Sequence, residues 1–88
     1  MAFASGTPVQ SQPDMARFIH NADICEHLAG EWSSENTKSE NRTIELNMNK
    51  HCGLAKRLQK SLLVKYKEDA SAADILNKYE SVNYFKLH

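Results

Sequence analysis

The sequence predicts an all-α domain of four helices, and three observations support that prediction. Apolar residues recur every three or four positions along most of the chain, which is the period of a helix that buries one face. Residues typical of helix starts and stops separate these stretches. No stretch alternates apolar and polar residues between turn residues, as a strand would. We therefore expect a small four-helix domain with short connections, which favour antiparallel neighbours.

The first ten residues show no helical period. A glycine, a proline and scattered polar residues indicate that residues 1–10 form a flexible leader, and that residues 11–88 form a single domain. Ser11-Gln12-Pro13-Asp14 resembles a capping box with proline in the first turn, so helix one should cover about residues 12–31. Its apolar face consists of Met15, Phe18, Ile19, Ala22, Cys25, Leu28 and Ala29.

Three further helices are predicted from the same kinds of signal. A Thr37-x-x-Glu40 capping box precedes helix two, at about residues 38–51. Gly53 is a plausible helix stop, so helix three is expected at about residues 54–67. A Ser71-x-x-Asp74 box opens helix four, at about residues 71–82.

The composition excludes several classes of protein. The 88 residues are 41% hydrophobic and 25% charged, which is neither collagen-like nor typical of a disordered chain. No apolar run approaches the roughly 18 residues that cross a bilayer. Eleven basic residues balance eleven acidic ones. However, residues 14–45 hold seven acids against three bases, and residues 50–67 hold six bases and no acid, so the charge is strongly segregated.

Two cysteines lie on the apolar faces of the first two predicted helices. Domains of this size often need a disulfide, a metal or a partner to be stable. Cys25-x-His27 and His51-Cys52 could offer thiols and imidazoles to zinc, but on a helix the members of these pairs point about 200° and about 100° apart. We predict a Cys25–Cys52 disulfide that stabilises the fold by roughly 3.5 kcal/mol, ahead of two free buried thiols and of zinc.

The cysteines and the N-terminus together suggest export. Ala2-Phe3-Ala4 followed by Ser5-Gly6 has the small-x-small form that signal peptidase recognises. Paired cysteines are typical of oxidising compartments. We expect the leader to be the remnant of a signal-peptide cleavage region, and the protein to be periplasmic or secreted.

One polar stripe on helix one is the most site-like pattern in the sequence. It consists of His20, Asp23, His27 and Glu31, which are spaced three or four apart and therefore lie side by side. A solvated helix face is the favoured interpretation, and a metal site is the alternative. A dyad with His27 as base, oriented by Asp23 or Glu31, ranks third. No nucleophile elbow, phosphate loop or zinc-protease motif accompanies the stripe, so we predict neither catalysis nor a cofactor.

The basic segment and the aromatic residues are the candidates for partner binding. Four cations form a predicted ridge on helix three: Lys56, Arg57, Lys60 and Lys67. Such a ridge could meet phosphates or an acidic protein, and the neutral total favours the protein over nucleic acid. Trp32 and the tail formed by Tyr84, Phe85 and Leu87 either close the core or, if exposed, form an adhesive patch. We favour packing.

The string Cys25-Glu26-His27-Leu28-Ala29-Gly30-Glu31, a second cysteine in the next helix and Leu62-x-x-Lys65-Tyr66 resemble a group of small exported proteobacterial proteins. The resemblance covers about residues 23–80. The sequence departs from the group in the loop between the first two helices. It implies an exported helical domain with paired cysteines, and it supplies neither an activity nor functional residues.

These observations lead to one functional hypothesis and one alternative. We expect an exported, non-catalytic helical module that binds another protein, for example as an inhibitor or immunity protein. A small-molecule ligand is not expected, and the oligomeric state stays open. The alternative is a metal-binding protein that uses the polar stripe on helix one.

Overall fold

The computed structural model describes residues 9–86. A 3-10 turn at Val9–Ser11 precedes four α-helices: α1 (Pro13–Glu31), α2 (Lys38–Lys65), α3 (Ala70–Asn77) and α4 (Glu80–Tyr84). No strand occurs within residues 9–86. The all-α class and the number of helices are therefore confirmed, whereas several of the predicted boundaries are not.

The helices α1 and α2 form an antiparallel hairpin. Three contacts follow one another in reverse order: Asp14 with Lys65, Cys25 with Cys52, and Trp32, just after α1, with Glu45. The 28 residues of α2 correspond to a rod of about 42 Å, which makes up most of the long dimension of the 56 × 22 × 17 Å envelope. No helix within residues 9–86 is long and apolar enough to cross a bilayer.

The prediction that Gly53 ends a helix is wrong. Residues 38–51 and most of residues 54–67 belong to the single helix α2, and Gly53 is buried within it. A glycine inside a helix costs only about 1 kcal/mol. The neighbouring Cys52 and Ala55 are both fully buried, and packing of this kind supplies most of the stability of a helix in a protein.

The predicted fourth helix is instead two short helices, α3 and α4. Asp69, rather than Ser71, caps α3 by accepting a 3.1 Å hydrogen bond from the Ala72 amide. The break after Asn77 is stabilised by side chains from elsewhere in the chain. Gln59 Nε2 donates to the Leu76 carbonyl at 2.7 Å, and Glu26 accepts hydrogen bonds from the amide and the hydroxyl of Ser81, near the start of α4.

The beginning of the described chain also differs from expectation. Residues 9 and 10, assigned to the leader from the sequence, lie in the 3-10 turn, and Val9 packs against the core. Residues 1–8 of the predicted leader lie outside the described residues. The N-cap of α1 is Gln12 and makes no side-chain cap. The Thr37-x-x-Glu40 capping box is confirmed, with both of its reciprocal hydrogen bonds present.

Buried side chains are confined to part of the molecule. The apolar core consists of Met15, Phe18, Ala22, Cys25, Cys52, Ala55, Leu62, Ala72, Leu76, Tyr79 and Val82. Residues 26–51 contribute no buried residue at all. We call residues 26–51 the arm, and residues 9–25 and 52–86 the body. The body packs around Phe18 and Tyr79, whose rings meet edge to face with centroids 5.6 Å apart.

Candidate functional site

The predicted disulfide is confirmed and lies at the junction of body and arm. Cys25 and Cys52 are bonded to each other, their Cα atoms are 4.9 Å apart, and both are fully buried. Neither sulfur is therefore available to zinc as a thiolate. The neighbouring His51 Nδ1 lies 2.9 Å from Asn21 Oδ1. Because a carboxamide oxygen can only accept, His51 carries its proton on Nδ1 in this contact.

The side chains of the polar stripe of α1 interact with different neighbours. His27 Nε2 and Glu31 Oε2 are 2.9 Å apart on the exposed surface. Asp23 instead acts electrostatically on Tyr79. Burial, reinforced by the charge of Asp23, raises the pKa of Tyr79 to about 12. Within residues 9–86, no group of three or more His, Cys, Asp or Glu side chains is arranged to hold a metal ion.

The four cations of the predicted basic ridge have different environments in the structure. Lys56 Nζ donates to the Asn83 carbonyl at 3.0 Å, so this cation holds α4 in place. Arg57 and Lys60 are exposed on α2, and Lys67 is exposed beyond its end. Lys65, which the ridge did not include, pairs with Asp14 and holds the pKa of that carboxyl below its ordinary value.

The exposed Arg57 and Lys60 belong to a longer stripe along α2. Its other members were not predicted from the sequence. Positions 46, 50, 53, 57, 60 and 64 follow one another in steps of four and three, so they share one side of α2. We call this stripe the outer face of α2; its exposed residues are Leu46, Lys50, Arg57, Lys60 and Val64, and the buried Gly53 lies among them. The spacing was a usable signal, but the supposed helix stop at Gly53 concealed it.

The outer face of α2 combines unpaired charge with exposed apolar side chains. Leu46 is 60% exposed at one end and Val64 is 71% exposed at the other. The ion pairs found within residues 9–86 are His27–Glu31 and Asp14–Lys65. In that part of the chain, no carboxylate pairs with the three cations between Leu46 and Val64.

An open cleft of about 400 Å³ lies on the arm. It is lined by Trp32, Lys38, Asn41, Arg42 and Glu45. Trp32 is 46% exposed, and its indole Nε1 donates to Glu45 Oε2 at 2.9 Å. Of these five residues, Trp32 alone was predicted from the sequence to bind a partner, because the cleft forms only when the loop returns α2 against the end of α1.

The two aromatic residues of the tail have different environments. Phe85 is partly buried and packs against the core, as expected for closure of the core. Tyr84 is 81% exposed and is therefore a surface residue. Leu87 lies outside the described residues.

No protein-family model, curated protein or solved structure significantly matches this chain. The resemblance to small exported proteobacterial proteins therefore stays a prediction. The functional proposals rest on the geometry of the disulfide, the outer face of α2 and the arm cleft.

Proposed function

We propose that this chain is an exported, non-catalytic protein-binding module whose outer face of α2 receives an acidic segment of another protein. One observation carries the proposal. Lys50, Arg57 and Lys60 stand unpaired within residues 9–86, on one straight face of a long helix, between exposed Leu46 and Val64. An inhibitor or immunity protein is one concrete form of such a module.

The charge pattern supports an acidic partner. An acidic surface speeds the encounter with a basic one and disfavours wrong partners. Burial of exposed aliphatic side chains then supplies affinity that charge alone does not. An amphipathic helix with carboxylates between apolar residues would match the steps of four and three on α2.

The rigidity of α2 supports this role. Its opposite side packs against α1, and the disulfide, the Asp14–Lys65 pair and the Gln59–Leu76 hydrogen bond fix it to the rest of the body. A surface that is ordered before binding loses less conformational entropy when a partner docks. The part of α2 that carries Arg57 and Lys60 therefore needs no rearrangement to present these cations.

The proposed location rests on the disulfide. A buried, formed Cys25–Cys52 bond is compatible with an oxidising compartment, where structural disulfides persist. The test is the mass of the unreduced protein isolated from its native host after thiol alkylation. Export predicts an unalkylated protein in the periplasmic or secreted fraction, whereas an alkylated protein confined to the cytoplasm would contradict it.

The binding proposal is tested by crosslinking from the outer face of α2. A photo-crosslinking amino acid replaces the exposed Val64, and the adduct is identified by mass spectrometry in the host's exported fraction. The charge-reversal variant Arg57→Glu/Lys60→Glu should lose this adduct. The matched control Arg17→Glu/Lys86→Glu makes the same change of charge at exposed positions off this face and should retain it.

The outcomes separate binding from general charge effects. The adduct should also weaken at high salt, because exposed charges are screened. Circular dichroism and thermal unfolding establish that both double variants are folded. An adduct of equal yield in the two variants, or the absence of any reproducible adduct, would contradict an acidic partner on the outer face of α2.

A further inference from the structure

The arm cleft presents an aromatic surface whose orientation is held. The indole N–H of Trp32 is already satisfied by Glu45 at 2.9 Å. Nearly half of the Trp32 side chain stays exposed even so. An aromatic ring with its polar atom paired is well suited to cover an apolar side chain, because no further hydrogen bond is lost on contact.

Two cations lie beside that ring. Lys38 and Arg42 are one turn apart on α2, and both are exposed. Neither forms an ion pair within residues 9–86. A guanidinium group binds a carboxylate with two parallel hydrogen bonds, and a neighbouring ammonium adds charge.

Hydrogen bonds hold the walls of the cleft in place. Asn41 Nδ2 donates to the Ser33 carbonyl at 2.8 Å, and Asn41 Oδ1 accepts from Asn36 Nδ2 at 2.9 Å. The Thr37–Glu40 capping box orders the first turn of α2. Polar side chains of the arm thus hold the loop in place, although the arm contains no buried residue.

The charge balance of the cleft limits what it can bind. Lys38 and Arg42 contribute two positive charges and Glu45 contributes one negative charge. A net charge of about one suits a singly charged carboxylate better than a doubly charged phosphate, which Glu45 would repel. The exposed ring of Trp32 favours a ligand with an apolar group next to that carboxylate.

We infer that the arm cleft binds a peptide segment that carries a carboxylate next to an apolar side chain. The carboxylate meets Arg42 and Lys38, and the apolar side chain covers Trp32. The inference goes beyond the proposed acidic partner on the outer face of α2. It uses none of the outer-face residues, so either surface can fail its test without the other.

Trp32 is the only tryptophan of the chain, so its fluorescence reports on the cleft directly. The probe is the acetylated and amidated peptide Ala-Asp-Leu-Ala, titrated to about 20 mM because so small a ligand is expected to bind weakly. A saturable change in Trp32 emission is expected. The same peptide with Asn in place of Asp should bind at least about tenfold more weakly.

Variants of the full chain identify the residues responsible. Arg42→Gln should weaken binding about tenfold, and Lys38→Gln should weaken it less. Glu45→Gln keeps an acceptor for the indole and removes the negative charge, so it should strengthen binding about threefold. Arg17→Gln, a matched change at an exposed arginine of α1, should leave binding unchanged. Arg42 is exposed, and thermal unfolding verifies that its variant is folded.

A third peptide, acetylated Ala-Ala-Leu with a free C-terminus, distinguishes the source of the carboxylate. Saturable binding of this peptide or of the Asp peptide supports the inference and shows whether a chain end or an acidic side chain is preferred. Three results would overturn it: equal binding of the Asn peptide, an equal response to inorganic phosphate alone, or full affinity in Arg42→Gln. Failure of both charged peptides to cause a saturable change would overturn it as well.

Discussion

The arm and the body of this protein differ in how they are held together. The body contains every buried side chain of the described chain, whereas residues 26–51 contain none. The arm is ordered instead by the capping box, the Asn41 hydrogen bonds and the Trp32–Glu45 contact. The disulfide joins the last buried position of α1 to the first buried position of α2.

This difference shows how a small domain can extend beyond its core. Hydrophobic burial stabilises the body, which is about two thirds of the described residues. The polar contacts that stabilise the arm each contribute much less than the burial of a large apolar side chain. The arm should therefore open at a lower free energy than the body. Because both the arm cleft and one end of the outer face of α2 lie on this part, the less stable region carries much of the proposed binding surface.

The largest expected effect is the loss of the core aromatic of the body. Phe18→Ala removes a fully buried side chain that contacts Tyr79, and it should lower the free energy of unfolding by about 3–5 kcal/mol. Leu46→Ala on the arm is the matched control and should change it by less than about 0.5 kcal/mol. Urea denaturation measures both, and similar costs for the two variants would refute the division into body and arm.

Removal of the disulfide should be the next largest effect. Cys25→Ala/Cys52→Ala releases a link between residues 27 positions apart, which should cost about 3.5 kcal/mol. Since the arm has no core, its amide hydrogens should lose more protection in hydrogen exchange than those of the body. A uniform loss across α1 and α2 would show that the arm does not depend on the disulfide.

Gln59 tests how the body holds the break between α3 and α4. Gln59→Ala leaves the Leu76 carbonyl without the 2.7 Å hydrogen bond that Gln59 Nε2 donates and should cost about 1–3 kcal/mol. Hydrogen exchange should increase in α3 and α4 while the arm is unchanged. Increased exchange in the arm instead would mean that the two regions are coupled.

The capping box gives the corresponding test for the arm. Thr37→Ala removes the acceptor of the Glu40 amide and should cost about 1 kcal/mol. The amides at the start of α2 should exchange faster, and Trp32 fluorescence should change because the cleft loosens. Thr37→Ser preserves the hydroxyl and serves as the control, so equal effects of Ala and Ser would contradict a capping role.

The smallest expected effect is the pH dependence that Asp14 contributes. The Lys65 ammonium, with the Tyr66 hydroxyl, holds the pKa of Asp14 below its ordinary value of 3.8. The folded state therefore binds this proton less readily than the unfolded state. The stabilisation is fully present above that ordinary value and is lost as the pH falls through the lower folded pKa.

Asp14→Asn should flatten the pH dependence of the urea midpoint between about pH 5 and pH 2. Asp74→Asn, at an exposed carboxyl on α3, is the control and should leave the dependence unchanged. The effect is small because the pair lies near the surface, where water screens it. An unchanged profile in Asp14→Asn would show that the contact does not persist in solution.

The comparison also shows which parts of the site could be read from residue spacing. The cysteines fell on apolar helix faces, so their pairing followed from periodicity and from size. Arg57 and Lys60 were recognised as exposed cations for the same reason. The arm cleft was not, because it joins Trp32 to Arg42 and Glu45 across a loop, and loop conformation has no period.

Periodicity and local capping by themselves determined the helical class, the position of α1, the start of α2 and the faces that carry the cysteines. These features depend on residues within one or two turns of one another. The tertiary structure decided that α2 continues through Gly53, since packing outweighs a cost of about 1 kcal/mol. It also decided that a helix breaks after Asn77, because Gln59 and Glu26 satisfy the exposed backbone groups from distant positions.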